Sequence, residues 1–238
     1  MINKPVLILA GGLGTRLNGH LPENLPKPLA PIEDRPFLSF IFDRLIDQGI
    51  SNVVLSVGYH KEKIMNFYNN RYKSLKITYS KEDFPLGTGG AILNSLDYLK
   101  NDDFILMNGD TFFDICLDNL YQFHKNKNSL ITVALKKLSK KNIRFGSVTT
   151  DSNFKIIKFN SKSKDTSTLI NGGIYFINKN LFSNLQYSSP FSFEKIVLEK
   201  NSQNFSFYGK VYDNFFIDIG IPEDLIRAQY LLNNIKRK

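Results

Sequence analysis

The sequence predicts an α/β fold, an open and mostly parallel sheet with helices on both faces. Three observations predict it. Strand-length apolar runs alternate with helical segments through the first half of the chain. The first of these runs, Pro5–Ala10, opens directly into a glycine-rich loop. Finally, 42% of the 238 residues are hydrophobic, which supplies a packed core and argues against disorder. Residues 1–238 are therefore expected to form one α/β domain, with room for a small appended lobe.

Taken in order, Pro5-Val-Leu-Ile-Leu-Ala10 reads as a buried parallel strand. The segment from Pro36 to Gly49 carries proline at a helix start, glycine at its end and apolar residues at helical spacing. A strand over 52–57, a helix near 60–70, a strand over 75–79 and a helix opening at Thr88 follow. Then come a strand over 104–107 and a helix over 117–127. From 129 onward the grammar changes. Leu130–Leu135 is another core strand, 145–150 and 154–159 read as a hairpin around Asp151-Ser-Asn, and 160–168 as a polar surface loop. A strand over 169–177, a short helix near 191–199, a last strand and a helix from Pro222 complete the chain.

The loop after the first strand carries the chemistry. Gly11, Gly12 and Gly14 permit a tight turn and close approach of backbone to a ligand. Successive backbone N–H groups in such a loop form a concavity for anions. Arg16 and Lys27 add two cations, and Lys27 stands between two prolines that restrict its backbone. Two common phosphate loops are excluded. A P-loop needs Lys-Ser/Thr after its last glycine, where this chain has Thr15-Arg16. A dinucleotide fingerprint needs a third glycine where Leu17 stands, and an acid closing the second strand where Gly58 stands.

Composition narrows the classes further. The net charge of +9 invites nucleic acid, but the lysines are scattered and the densest cluster is the terminal Lys236-Arg237-Lys238. No nucleic-acid motif accompanies them, whereas a basic balance suits a polyanionic small substrate. The single cysteine, Cys116, excludes an internal disulfide and reads as a small buried hydrophobe. The histidines His20, His60 and His124 are far apart and read as ordinary surface residues. The chain enters its first strand too early for a signal peptide, and no apolar run approaches the ~20 residues of a membrane helix. The expectation is a cytoplasmic protein with small-molecule partners, no nucleic acid and no membrane, and room for a homo-oligomer.

Leu9-Ala-Gly-Gly-Leu-Gly-Thr-Arg-Leu17 followed by Pro26-Lys-Pro28 resembles the two-part signature of the sugar-1-phosphate nucleotidyltransferases, and the resemblance extends over essentially the whole chain. It implies a Rossmann-like core with a small β lobe for the sugar, and nothing here is similar to the C-terminal β-helix of some members. It also implies attack by a sugar-1-phosphate oxygen on the α-phosphorus of a nucleoside triphosphate, with Mg²⁺ as cofactor and pyrophosphate as the leaving group. The nucleophile is already anionic, so the protein must align two polyanions and stabilise developing charge.

Carried over residue by residue, the resemblance assigns Arg16, Lys27 and Asp110 to catalysis. Leu9, Ala10, Gly11, Gly12, Gly14, Thr15, Arg16, Lys27, Glu82, Gly87 and Thr88 are assigned to the nucleotide. Asp110, in Asn108-Gly-Asp110, and Asp218, in Phe216–Asp224, are assigned to the metal. Asp114, Glu223 and Asp224 are weaker acids for that role. A carboxylate at Glu82 matches the adjacent N1–H and N2–H₂ donors of guanine, which favours GTP, although UTP and dTTP also present a donor. Gly146, Lys162, Asn171 and Glu194 are assigned to the sugar phosphate, with one departure: Ser161 stands where the family usually has glutamate beside the lysine. The alternatives left open are a surface lysine at 27, turn or capping aspartates at 110 and 218, and loop lysines at 162 and 164. At the level of function they are a uridylyl- or thymidylyltransferase, a metal-dependent glycosyltransferase, or a silent nucleotide-binding regulator.

Overall fold

The computed structural model describes residues 4–17, 19–139, 145–160, 168–183 and 189–235, and side chains up to 232. Ser161, Lys162, Lys164, most of the 160–168 loop and the terminal basic cluster lie outside the described residues. The strands are β1 (Val6–Leu9), β2 (Pro31–Ile32), β3 (Arg35–Pro36), β4 (Asn52–Val57), β5 (Arg71–Tyr72), β6 (Leu75–Lys81) and β7 (Asp103–Asn108) in the first half. β8 (Thr111–Phe113), β9 (Ile131–Lys137), β10 (Ser147–Thr150), β11 (Ile156–Asn160), β12 (Leu169–Asn178), β13 (Phe207–Tyr212) and β14 (Phe216–Asp218) follow. The helices are α1 (Phe37–Asp47), α2 (Lys61–Tyr68), α3 (Gly87–Ser95), α4 (Leu117–Asn126), α5 (Asn180–Ser183) and α6 (Pro222–Ile235), with a π-helical segment over Phe193–Glu199.

Hydrophobic runs without alternation make the central strands, because both faces are covered. β7, β1, β4 and β6 pair in parallel, and successive residues of β1 point into two different cores. Val6 and Ile8 join α1, α2, α4 and α6 on one face, while Leu7 joins Ile92 of α3 and the π-helical segment on the other. Beyond β7 the sheet turns mixed. β12 runs antiparallel to β7, β9 and β10, and β13 runs parallel to β9. The antiparallel β10–β11 pair is the expected hairpin, which extends the sheet as its far edge.

Two short pairings outside this sheet were not anticipated. β14 lies antiparallel to β8 and sets Asp218 opposite Thr111. The other, β2 with β3, follows Lys27 and is held from α6. There the Gln229 side chain accepts from Glu33 N at 2.6 Å and donates to the Pro31 carbonyl at 2.6 Å.

Two expectations are corrected. Cys116 is exposed, because Ile115 and Leu117 take the buried positions on either side of it and it occupies the position before α4. His124 is buried rather than on the surface. It follows Leu117 and Leu120 on the inward stripe of α4, at i+7 and i+4. Its Nδ1 lies 2.9 Å from Thr132 Oγ1, and its Nε2 lies 3.9 Å from Asp103 Oδ1. Burial pulls its pKa down to about 4, against the opposing pull of Asp103.

Below pH ~6.5 the unfolded chain binds a proton at His124 that the folded chain refuses until about pH 4. This contribution to stability is complete above ~6.5 and is lost as the pH falls through that window. Urea unfolding should show His124→Gln losing less stability than the unsubstituted protein between pH 7 and pH 4.5, by up to ~3 kcal/mol. Equal losses in both would place the titration on another group.

Candidate active site

The carboxyl ends of the parallel strands all open onto one cleft. β1 delivers the glycine loop, β6 delivers Glu82, and β7 delivers Asn108–Asp110. The chain passes from β1 to β4 and β6 on one side, then returns to β7 on the other, so β1 is the topological switch point where ligands bind such sheets. The cleft measures about 530 Å³, the size of a small-molecule site.

Leu9, Ala10, Gly11, Gly12, Gly14, Thr15, Arg16, Lys27, Glu82, Gly87, Thr88, Asp110, Glu194 and Asp218 all line this cleft. The sequence missed Ser56, Pro85 and Gly220, which line it too. Gly146 and Asn171 do not. Gly146 precedes β10, and Asn171 spends its amide on the Tyr175 hydroxyl at 2.6 Å and its carbonyl oxygen on Gly173 N–H at 3.1 Å. Among the weaker acids, Asp114 pairs with Arg44 at 2.6 Å, and Asp224 pairs with Arg227 in the first turn of α6.

The three loop glycines have three different reasons. A Cβ on Gly11 would stand 2.6 Å from Glu82 Oε1, so glycine makes room for that carboxylate. Gly14 has φ +65°, a left-handed conformation that side chains resist. A Cβ on Gly12 would meet nothing within 4 Å. No internal packing demands glycine at this exposed position, and the space beside it is open to the cleft.

Glu82 is buried and its carboxylate is fixed. Oε1 accepts from Ser56 Oγ at 3.2 Å, and Oε2 accepts from Leu86 N–H at 3.1 Å. Each oxygen keeps a further lone pair for a donor in the cleft. Ser56 could have been found from its position, since it is the penultimate residue of β4, paired with Leu9 of β1, and is a polar residue in an apolar run.

Lys27 is also buried, with its ammonium 2.5 Å from Asp110 Oδ2. Burial pushes the Asp110 carboxyl up, but the charge and hydrogen bond of Lys27 outweigh it, helped by Thr111 and Arg16, and the net direction is down. The Thr111 hydroxyl lies 3.2 Å from Asp110 Oδ1 and 3.1 Å from Asp218 Oδ2, and its one proton serves one carboxylate at a time. Gly220 N–H donates to Asp218 Oδ1 at 2.7 Å. Among the described residues no cluster of three or more acids, histidines or cysteines forms a complete metal cage. Two hard carboxylates fit Mg²⁺, which commonly takes one or two with waters and substrate phosphates completing its octahedron.

A glycine-loop cleft with a buried lysine and two facing aspartates defines a nucleotide-dependent transfer site. The family described as "Nucleotidyl transferase" matches residues 5–234, and the chain belongs to it. D-glycero-alpha-D-manno-heptose 1-phosphate guanylyltransferase of Campylobacter jejuni subsp. jejuni serotype O:2 is 43% identical over 228 residues, covering 96% of this chain and 99% of that protein. The enzyme of the same description from Aneurinibacillus thermoaerophilus is also 43% identical, covering 94% and 96%. HddC from Yersinia pseudotuberculosis, in a crystal structure complexed with GMP-PN, superposes with a TM-score of 0.81 at 32% identity, covering 99% of this chain and all of that one.

Gly12→Ala should leave the thermal midpoint within about 2 °C, because its Cβ meets no protein atom, while weakening nucleotide binding by roughly tenfold or more. A thermal scan checks the first half, and calorimetric titration with a nucleoside triphosphate checks the second. Lys27→Ala should lower kcat by roughly 10²–10³, the scale of removing one preorganised charge-stabilising group. Retention of most activity would reduce Lys27 to a structural partner of Asp110.

Proposed function

We propose that this protein transfers GMP from GTP to a sugar 1-phosphate, with D-glycero-α-D-manno-heptose 1-phosphate as the acceptor, releasing pyrophosphate. The observation that carries the reading is the set of Lys27, Asp110 and Asp218 facing the glycine loop across one cleft, with the Glu82 carboxylate in the same wall. The 43% identity to two enzymes of that name supports the acceptor. So do the segments Leu86–Ala91, Asn108–Thr111 and Phe216–Asp224, which resemble the same branch.

In this reading the glycine loop receives the triphosphate, and Arg16 and Lys27 balance its charge. Glu82, held by Ser56 and Leu86, accepts from N1–H and N2–H₂ of guanine. Asp110 and Asp218 would hold Mg²⁺, which supplies Lewis-acid stabilisation of phosphate oxygens when bound. Glu194 serves the acceptor, whose phosphate oxygen attacks with no need of a base. Lys162 keeps its assignment to the sugar phosphate as part of the proposal. Glu194 and the nucleotide loop share the cleft, which favours direct transfer between two substrates over a covalent enzyme intermediate. A cytoplasmic setting suits both substrates.

A pyrophosphate-release assay with Mg²⁺ tests the class. Release should require both GTP and the heptose phosphate, and equal release from GTP alone would establish hydrolysis instead. GTP should be preferred over ATP by at least ~10², and Glu82→Gln should narrow that gap, because adenine sets its N1 acceptor against the carboxylate. A preference for UTP or dTTP would transfer the base assignment to a pyrimidine. Asp110→Asn and Asp218→Asn should each raise the Mg²⁺ concentration needed for half-maximal rate. Their combined loss should be less than the product of the singles if the two share one ion.

A further inference from the structure

We propose that Thr88 positions the acceptor-side carboxylate of Glu194 and does not contact the nucleotide, so that the start of α3 and the π-helical segment act as one built unit. This rests on the reading above that Glu194 serves the sugar 1-phosphate. The Thr88 hydroxyl is consumed within the protein. It donates to Glu194 Oε2 at 2.8 Å and accepts from Phe193 N–H at 2.8 Å. Ser192 Oγ donates to the same Oε2 at 2.9 Å. Two donors on one oxygen fix the plane of the carboxylate, and Oε1 is then the oxygen for a sugar hydroxyl in the cleft that Glu194 lines.

The glycines around Thr88 answer to the same unit. Gly89 N–H donates to the Phe191 carbonyl at 2.9 Å, and Phe191 N–H donates to the Leu86 carbonyl at 3.1 Å. A Cβ on Gly87 would meet the Phe191 carbonyl oxygen at 2.5 Å, and one on Gly89 would fall 2.0 Å from the Phe191 ring. Gly87 and Gly89 are thus glycine because Phe191 lies on them, while a Cβ on Gly90 would meet Ser189 Oγ at 2.5 Å. π-Helical turns are frequent at functional sites, and Glu194 stands in the first turn of this one.

The test compares Thr88→Val, Thr88→Ser, Glu194→Gln and the Thr88→Val/Glu194→Gln pair. The readouts are steady-state kinetics with GTP and D-glycero-α-D-manno-heptose 1-phosphate, and calorimetric binding of a non-hydrolysable GTP analogue and of the heptose phosphate. Thr88→Val should raise KM for the heptose phosphate by about tenfold, the scale of losing a hydrogen bond to a charged group. It should leave affinity for the GTP analogue within about twofold, which also shows the variant to be folded. Thr88→Ser should restore the acceptor KM, and the double variant should be no worse than Glu194→Gln alone. Weakened binding of the GTP analogue with an unchanged acceptor KM would overturn the proposal, as would losses that multiply in the double variant. An unsubstituted protein that releases no pyrophosphate from this pair fails the functional reading instead. Calorimetry with the heptose phosphate then decides, weaker binding by Thr88→Val supporting the positioning role and unchanged binding overturning it.

Discussion

The ion pair between Lys27 and Asp110 is the contact on which the site depends. A buried ammonium is costly unless a counter-charge meets it, and a carboxylate at 2.5 Å meets it here. Asp110 sits just past the end of β7, so the pair anchors the proline-flanked loop to the edge of the sheet. It also holds a cation and an anion at one fixed point of the cleft. Thr111 extends the arrangement to Asp218, so two carboxylates from distant stretches of chain meet at one hydroxyl.

The charged residues of the cleft and its two other carboxylates are held by different means. Asp110 and Asp218 are fixed by strand ends and by the β8–β14 pairing. The Glu82 carboxylate is fixed by a serine from the neighbouring strand and a backbone N–H of its own loop. Glu194 is fixed from α3 and Ser192. These holds share no residue, so a change beside Glu82 or Glu194 need not disturb the Lys27–Asp110 pair.

Much of this was legible in the sequence, for physical reasons. The parallel strands announce themselves as unbroken apolar runs, and Pro36 and Gly49 bracket α1 through their own backbone preferences. The glycine loop and Lys27 carry a local pattern. What escaped was long-range or shared. The three-residue pairing of β14 with β8 has no periodicity to read, yet it brings Asp218 to Thr111. Asn171 offered suitable chemistry for a sugar, but the structure spends it on Tyr175 and Gly173. Gly87, assigned to the nucleotide, lines the cleft, and its backbone also lies against Phe191, a long-range contact with no local pattern to read. His124 was readable in principle, because its spacing from Leu117 places it on the buried stripe.

The clamp from Gln229 onto the β2–β3 hairpin has a consequence for how the molecule is made. During synthesis the glycine loop and Lys27 emerge before β14 and α6. Glu33 and Gln229 are 196 positions apart, and Thr111 and Asp218 are 107 apart. Contacts that span so much chain form late, because loop closure must be completed before they are gained. A growing chain therefore holds the glycine loop and Lys27 before it has Asp218 or the brace behind the hairpin. The contacts of Thr111 and Glu33 are completed only when β14 and α6 dock.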